Sequence, residues 1–356
     1  MAKKVFLETH NLKNRAGGLG TFNYELIKGF SQLDFGDLEL TLNVQDPARL
    51  QSEFGNRFHY HKYTNLSRHK LFRNRGRYDL WHSVNQNTKV EPARVSNYLL
   101  TVHDVNFAEE TGDKSSKLHR LFKDKLVRAT AITYISEFAK KQAHEHFEIP
   151  NVPEYVIYNG NPISTFQDIS NYVANVPADK PFLYSIGDFL ERKNFLALVQ
   201  MMPLLPDFNL ILSGNHDKDY GHQIKKYITE NNLQNQVFLT GKVDDTAKQY
   251  FYANCRAFVF PSIREGFGLP PIEAMAFGKP VFLSDKTSLP EIGGEHAYYW
   301  KHFEPEYMKS ELEKGLAHFD ANKVEMEANM KKRAANFDWK IAAQQYLDVY
   351  REILAL

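Results

Sequence analysis

Residues 260–281 read FPSIREGFGLPPIEAMAFGKPV, and the reading of the whole chain turns on them. The apolar run Phe258-Val259-Phe260 that leads into the stretch predicts a buried parallel strand. Pro261–Leu269 reads as a loop. Pro270 and Pro271 then open a helix, at the one place where a helix tolerates proline. Ala274-Met275-Ala276 continue it, Gly278 supplies a left-handed cap, and Pro280 follows. In a parallel sheet, ligands sit beyond the carboxyl ends of the strands, where loops feed helix N-termini. Gly266 and Gly268 let the backbone come close to such a ligand. The free N–H groups of the first helical turn point at it, which makes a seat for a phosphate.

Glu265 and Glu273 stand eight positions apart on either side of that seat. Carboxylates repel phosphate. They only accept hydrogen bonds, so their natural partners are hydroxyl groups. An anion in the middle with hydroxyl-rich groups on both sides describes a nucleotide sugar, with Glu265 on the sugar and Glu273 on the ribose. The plainer alternative makes Glu273 a charge that complements a helix N-terminus and Glu265 a solvated loop residue.

Outward from this stretch, short apolar runs alternate with helix-period segments, the pattern of layered α/β structure. Strands are expected at Val5–Thr9, Leu38–Val44, Leu80–Ser83, Tyr98–Val102, Ile132–Ile135 and 156–158. A second set is expected at Phe182–Ile186, Leu210–Ser213, Val237–Leu239, Ala257–Phe260 and Val281–Leu283. Helices are expected over 21–30 and 117–131. Another should run from the cap Ser136 through His146. Residues 161–180 are polar and weakly periodic and read as a link. The spacing of Trp339, Ile341, Ala342, Tyr346, Leu347, Tyr350 and Ile353 predicts an amphipathic terminal helix.

With 356 residues the chain is long enough for two domains, each with its own core. Lys plus Arg (44) nearly cancel Asp plus Glu (43), which argues against wholesale nucleic-acid binding. Cys255 is the sole cysteine and lies in an apolar run, so a buried inert thiol and a reducing compartment are expected. No signal-peptide core and no membrane-length apolar run is present, and the expected location is the cytoplasm.

The run Glu265-Gly-Phe-Gly-Leu-Pro-Pro-Ile-Glu273-Ala-Met-Ala resembles the E-x7-E signature of family-4 retaining glycosyltransferases (glycosyl transferases group 1), which have the GT-B fold. Further likenesses follow in order along the chain: Gly17-Gly18-Leu19-Gly20 to the N-terminal glycine loop, and Thr101-Val102-His103-Asp104 to the His-Asp strand end. Val156-Ile157-Tyr158-Asn159-Gly160 resembles the inter-domain approach, Arg192-Lys193-Asn194 the basic phosphate motif, and Phe337-Asp338-Trp339 the start of the terminal helix. The resemblance implies two Rossmann-like domains with mostly parallel sheets facing across a cleft. The N-terminal domain (1–165) would bind acceptor and the C-terminal domain (166–337) the nucleotide sugar. The terminal helix (338–356) would cross back onto the N-terminal domain.

It also implies roles. Catalysis would rest on His103, Glu265 and Lys193, with Asp104 in support, because a retaining transfer lets the departing phosphate take the acceptor proton. Donor contacts would come from Gly17, Gly18, Arg192, Lys193, Gly241, Lys242, Gly266, Phe267, Gly268, Leu269 and Glu273, with no metal and no cofactor beyond the donor. The chain departs from the family at Asp188, directly after Gly187, where many members carry arginine. A non-catalytic scaffold of the same fold is one rival. An NAD enzyme is another, disfavoured because the glycine loop does not read G-x-G-x-x-G.

Arg57–Arg77 holds seven Lys/Arg, three His and no acid, and residues 114–128 add six basic residues against Asp124. Such segments are attracted to anionic membranes, and Lys70-Leu71-Phe72-Arg73 adds apolar groups for shallow insertion. A solvated loop is the plainer alternative. The function expected is hexosyl transfer from a GDP- or UDP-linked donor to a saccharide or lipid-linked acceptor in bacterial lipopolysaccharide, exopolysaccharide or glycoconjugate synthesis. Peripheral docking on the inner membrane face is part of that expectation. No residue points to an oligomeric state.

Overall fold

The computed structural model describes residues 2–13, 17–111, 116–177 and 180–355. The chain divides into two compact units, Met1–Pro162 with Asp338–Leu356, and Ile163–Phe337. Lys114, counted above with the basic helix, lies outside the described residues.

The first unit is a parallel sheet of strands β1 (Lys3–Leu7), β2 (Leu38–Val44), β3 (His59–Lys62), β4 (Leu80–Ser83), β5 (Asn97–Val102), β6 (Ala131–Tyr134) and β7 (Glu154–Val156). Their spatial order is β3-β2-β1-β4-β5-β6-β7. Its helices are α1 (Gly18–Ser31), α2 (Pro47–Phe54), α3 (Asn106–Thr111), α4 (Lys117–Arg128) and α5 (Glu137–His146). The Ser136 hydroxyl accepts the Ala139 N–H and caps α5, as its sequence predicts.

The second unit repeats the plan. Strands β8 (Phe182–Ile186), β9 (Asn209–Ser213), β10 (Val237–Gly241), β11 (Ala257–Phe260), β12 (Val281–Ser284) and β13 (Tyr298–Trp300) lie in the order β10-β9-β8-β11-β12-β13. Around them run α6 (Phe195–Met201), α7 (Asp219–Glu230), α8 (Asp245–Asn254), α9 (Leu269–Ala276), α10 (Leu289–Gly293), α11 (Pro305–Ala321) and α12 (Lys323–Ala335). Strands β4, β6, β9, β11 and β12 are buried at every residue, which is why they read as largely apolar segments.

The terminal helix α13 (Trp339–Leu354) belongs to the first unit and packs on α1. A Cβ on Gly29 would lie 2.4 Å from the Trp339 carbonyl oxygen, so only glycine lets the two helices approach this closely. A buried polar chain also ties α13 to the sheet. His82 bonds Tyr350 through Nδ1 at 2.6 Å and Thr101 through Nε2 at 2.7 Å, and Tyr346 reaches Thr101 at 3.4 Å.

The structure corrects several details: the strand expected at Val5–Thr9 is Lys3–Leu7, and the second unit begins at Ile163, inside the expected link. The strand expected at 156–158 is Glu154–Val156, and the helix expected to reach Ala131 stops at Arg128. The basic segment holds an edge strand, β3, and is not wholly a loop. Its sequence, HYHK, has no apolar alternation because the strand is only half-covered, and basic side chains are the usual protection of a sheet edge.

Candidate functional site

Both sheets reverse their winding once. In the second unit the reversal falls between β8 and β11, and ligands of open parallel sheets bind at such a switch point. Lys193 follows β8, Glu265 follows β11, and the two meet there. Lys193 Nζ donates to Glu265 Oε1 at 2.5 Å and lies 4.8 Å from the centre of the Phe260 ring. Arg192 donates to the Arg264 carbonyl at 3.1 Å and stands 3.5 Å from Glu265 Oε2. The Ser262 hydroxyl donates to Glu265 Oε1 at 2.6 Å.

Burial of this cluster holds the Lys193 ammonium below its ordinary range, against the pull of Glu265. Burial alone would raise Glu265. The charges of Lys193 and Arg192 and the bonds from Lys193 and Ser262 outweigh it and lower the carboxyl. An ammonium has three donors. Among the described residues, the Lys193 ammonium has Glu265 as its one hydrogen-bond partner.

The loop after β11 opens α9 as the sequence predicts. Gly268 is the N-cap at φ 124° with no side-chain cap among the described residues, and because Pro270 and Pro271 carry no N–H, Leu269 is the one amide donor of the first three helical residues. Phe267 is buried edge-on to Phe337 at 5.8 Å, while Gly266 and Leu269 are half-buried. Glu273, one turn into α9, is buried in a network of its own. Tyr252 donates to its Oε2 at 2.8 Å and Lys248 reaches Oε1 at 3.4 Å. Burial would lower Lys248, but Glu273 and Asp245 outweigh it and raise the ammonium. Both glutamates are therefore already paired with cations, a coupling that their spacing does not reveal.

Gly187, Gly214 and Gly241 end the neighbouring strands β8, β9 and β10. Gly214 donates to the Gly241 carbonyl at 2.7 Å, and its Cβ would fall 1.9 Å from the Gly187 oxygen at a φ of 140°. The result is a ledge of bare main chain. Lys242 is exposed at the far end of that ledge, three strands away from Glu265, and does not join the cluster. Asp188 pairs with Lys218 at 3.3 Å.

In the first unit, His103 ends β5. Its Nε2 donates to the Val84 carbonyl at 2.8 Å, its ring lies edge-on to Phe22 at 4.6 Å, and burial lowers its pKa to about 4. The imidazole is thus neutral at pH 7, with Nδ1 as its acceptor. Asp104 Oδ1 accepts the Asn106 N–H at 3.1 Å. Gly17 is the extended N-cap of α1, and among the described residues a Cβ on Gly18 would meet nothing within 4 Å. Gly18 is therefore demanded neither by its own backbone nor by packing.

The sequence reading missed several groups: Lys248, Tyr252 and Ser262, and the pair Glu8–His10 (2.5 Å) beside the switch point of the first sheet. Arg68 of the basic segment reaches His10 Nε2 at 3.4 Å. Polar residues inside apolar segments carry no periodic signal, so only the fold assembles them. Among the described residues, no group of three or more His, Cys, Asp or Glu is placed to hold a metal ion.

Residues 167–337 match the family model of glycosyl transferases group 1. The O-antigen chain mannosyltransferase B of Escherichia coli is 28% identical over 225 residues, 57% of this chain and 57% of that protein. The serotype-specific mannosyltransferase WbdA of Escherichia coli is 30% identical over 246 residues, 64% of this chain and 29% of that protein. The chain thus spans less than two thirds of the length of these relatives. Among solved structures, a sucrose-phosphate synthase from Thermosynechococcus elongatus superposes with a TM-score of 0.78 at 19% identity, covering 99% of both chains. HepE from Anabaena, in complex with UDP and glucose, superposes with a TM-score of 0.72 at 17% identity, covering 99% of this chain and 100% of that one. The two α/β units are those of the GT-B fold.

Proposed function

We propose that this protein, whose residues 167–337 match the family model of glycosyl transferases group 1, is a retaining glycosyltransferase. It moves a hexosyl group from a GDP- or UDP-linked donor to a saccharide or lipid-linked acceptor in the synthesis of a bacterial surface polysaccharide. The relatives named as O-antigen mannosyltransferases favour mannose as the sugar. The observation that carries the reading is the buried Lys193–Glu265 pair at a sheet switch point, with donors to spare on the lysine.

In the transfer, the bond from the anomeric carbon to the diphosphate oxygen breaks, and its electron pair stays on the phosphate. The acceptor oxygen bonds that carbon from the same face, and its proton passes to the departing phosphate oxygen. Negative charge grows beside Lys193, Arg192 and the uncapped N-terminus of α9, which stabilise it without reorganising. Glu265 keeps lone pairs for hydroxyls of the sugar and Glu273 for those of the ribose. His103, neutral, accepts a further sugar hydroxyl at Nδ1. The amides at Gly17 and Gly18 approach the donor phosphates.

Leu71 and Phe72, 80% and 56% exposed among Lys70, Arg73, Arg75 and Arg77, extend the proposal to docking on an anionic bilayer at the inner membrane face. Each basic side chain near such a surface contributes about 1 kcal/mol. Lys125 and Arg128 do not add to that surface charge, because both are tied to Glu91. No described helix is long and apolar enough to cross a membrane. Co-sedimentation with anionic vesicles at low salt is expected, and its failure removes this element.

The test of the central reading is a panel of GDP- and UDP-sugars with a lipid-linked or saccharide acceptor. Release of the nucleoside diphosphate and a product of unchanged anomeric configuration are expected. Inversion rejects the retaining mechanism. Indifference to every donor rejects catalysis and leaves the scaffold reading, whereas a thermal shift with NAD alone returns the NAD-enzyme reading.

A further inference from the structure

The loop between β12 and α10 carries a strained residue, and the strain has a direction. Thr287 sits at φ 57°, in the left-handed region. For a β-branched side chain that conformation is a genuine outlier. Strain of this kind persists only where the surroundings over-determine it, and it collects at functional sites. Here the surroundings are the loop that holds Glu265.

Thr287 Oγ1 accepts the Glu265 N–H at 3.1 Å. Its neighbour Ser288 is wholly buried, with a hydroxyl in reach of two carbonyls, that of Glu265 at 3.0 Å and that of Phe267. Leu289 closes on the same turn: a Cβ on Gly268 would lie 3.0 Å from Leu289 Cδ2. Ser284, at the end of β12, donates to the Ser262 carbonyl. Ser262 in turn donates to the Glu265 carboxylate. Hydroxyl groups from one loop thus grip Glu265 at its N–H and its C=O, and at its carboxylate through Ser262.

We infer that the Ser284–Leu289 loop is a clamp on Glu265 and that Thr287 is its positioning residue. The strained backbone aims a hydroxyl that holds the Glu265 main chain where its carboxylate meets Lys193 and, on the function proposed above, the transferred sugar. Thr287 touches no reacting atom. It acts through Glu265.

Thr287→Gly relieves the strain and deletes the hydroxyl together, so it separates positioning from stability. The expected outcome is a melting temperature no lower than that of the native chain, with kcat reduced about tenfold for one lost hydrogen bond. The donor KM should stay within about twofold, since the loss falls on the reacting geometry. Thr287→Ser keeps the hydroxyl and should restore kcat to within about threefold. Native kcat in Thr287→Gly overturns the proposal, and so does a deficit that Thr287→Ser does not repair. Hydrogen exchange of the peptide containing Glu265–Phe267 reads the clamp without catalysis. Faster exchange in Thr287→Gly supports it, and unchanged exchange overturns it. A native chain that transfers no sugar from any nucleoside-diphosphate donor refutes the proposed function instead, and the exchange measurement still decides on the clamp.

Discussion

Two buried lysines in this molecule have nearly the same company. Lys125 in α4 lies against Glu91, the Tyr98 hydroxyl and Arg128, while Lys193 lies against Glu265, the Phe260 ring and Arg192. Burial depresses both ammonium groups. The difference is in hydrogen bonds left to make. Lys125 gives its three donors to Ser83, Glu91 and Tyr98, and Arg128 takes the other carboxylate oxygen at 2.7 Å. Lys193 gives one donor to Glu265 and turns toward an aromatic face. Burial of a charge does not by itself mark a site, because structural ion-pair networks perturb pKa values too. Unspent donors at a sheet switch point do.

The sharpest way to break this comparison is to remove each lysine. Lys193→Ala should lower turnover by about 10²–10³ with donor still binding, the usual cost of one preorganised group. Lys125→Ala should instead destabilise the fold by about 3–5 kcal/mol, because Glu91 is left buried beside a missing partner. The turnover of its folded fraction should be unchanged. Equal kinetic effects would erase the distinction. So would a Lys193→Ala variant that transfers at the native rate.

The glycines extend the contrast. Gly214→Ala forces a side chain onto the Gly187 oxygen in a left-handed backbone, and denaturant unfolding should register a loss of about 2 kcal/mol or more. Gly18→Ala places its methyl group in open space at a helical position. It should leave stability within about 1 kcal/mol of native, on the stable side, and lower donor affinity. Native affinity in Gly18→Ala would return that glycine to an ordinary turn.

A smaller effect follows from two histidines of the first unit. Burial lowers His82 to about 3 and His103 to about 4, against an ordinary value near 6.5. The unfolded chain therefore binds more protons than the native one between these limits. The stability they contribute is complete above about pH 7 and is lost as pH falls from 6.5 toward 4. Between pH 6 and 5 each should remove about 1 kcal/mol per unit of pH. His103→Gln should flatten that slope by its share in denaturant titrations. An unchanged slope would mean that His103 is solvated.

Much of the fold was legible because its strands are buried on both faces. Phe182–Ile186 and Ala257–Phe260 are largely apolar runs, Leu80–Ser83 (LWHS) is short and buried, and Leu38–Val44 (LELTLNV) puts leucine or valine at every second position; all four form strands with those bounds. Strand β3 was not legible, since HYHK at an exposed edge has no hydrophobic period to read. At the site, Glu265, Lys193 and the glycine turn were visible as residue types at a spacing. Their pairing was not, because Lys193 and Glu265 are 72 positions apart and only the β8–β11 neighbourhood joins them. Thr287 and Ser288 were invisible for a different reason. Their work is to bond main-chain atoms, and a hydroxyl in a loop looks the same whether it does so or faces water.

The most direct test is a structure of the chain with a GDP- or UDP-hexose bound. The diphosphate should sit within hydrogen-bond distance of Lys193 Nζ and the Leu269 amide at the start of α9, with sugar hydroxyls on Glu265 and ribose hydroxyls on Glu273. A sugar nucleotide seated elsewhere, with Lys193 still held by Glu265 alone, would contradict the account.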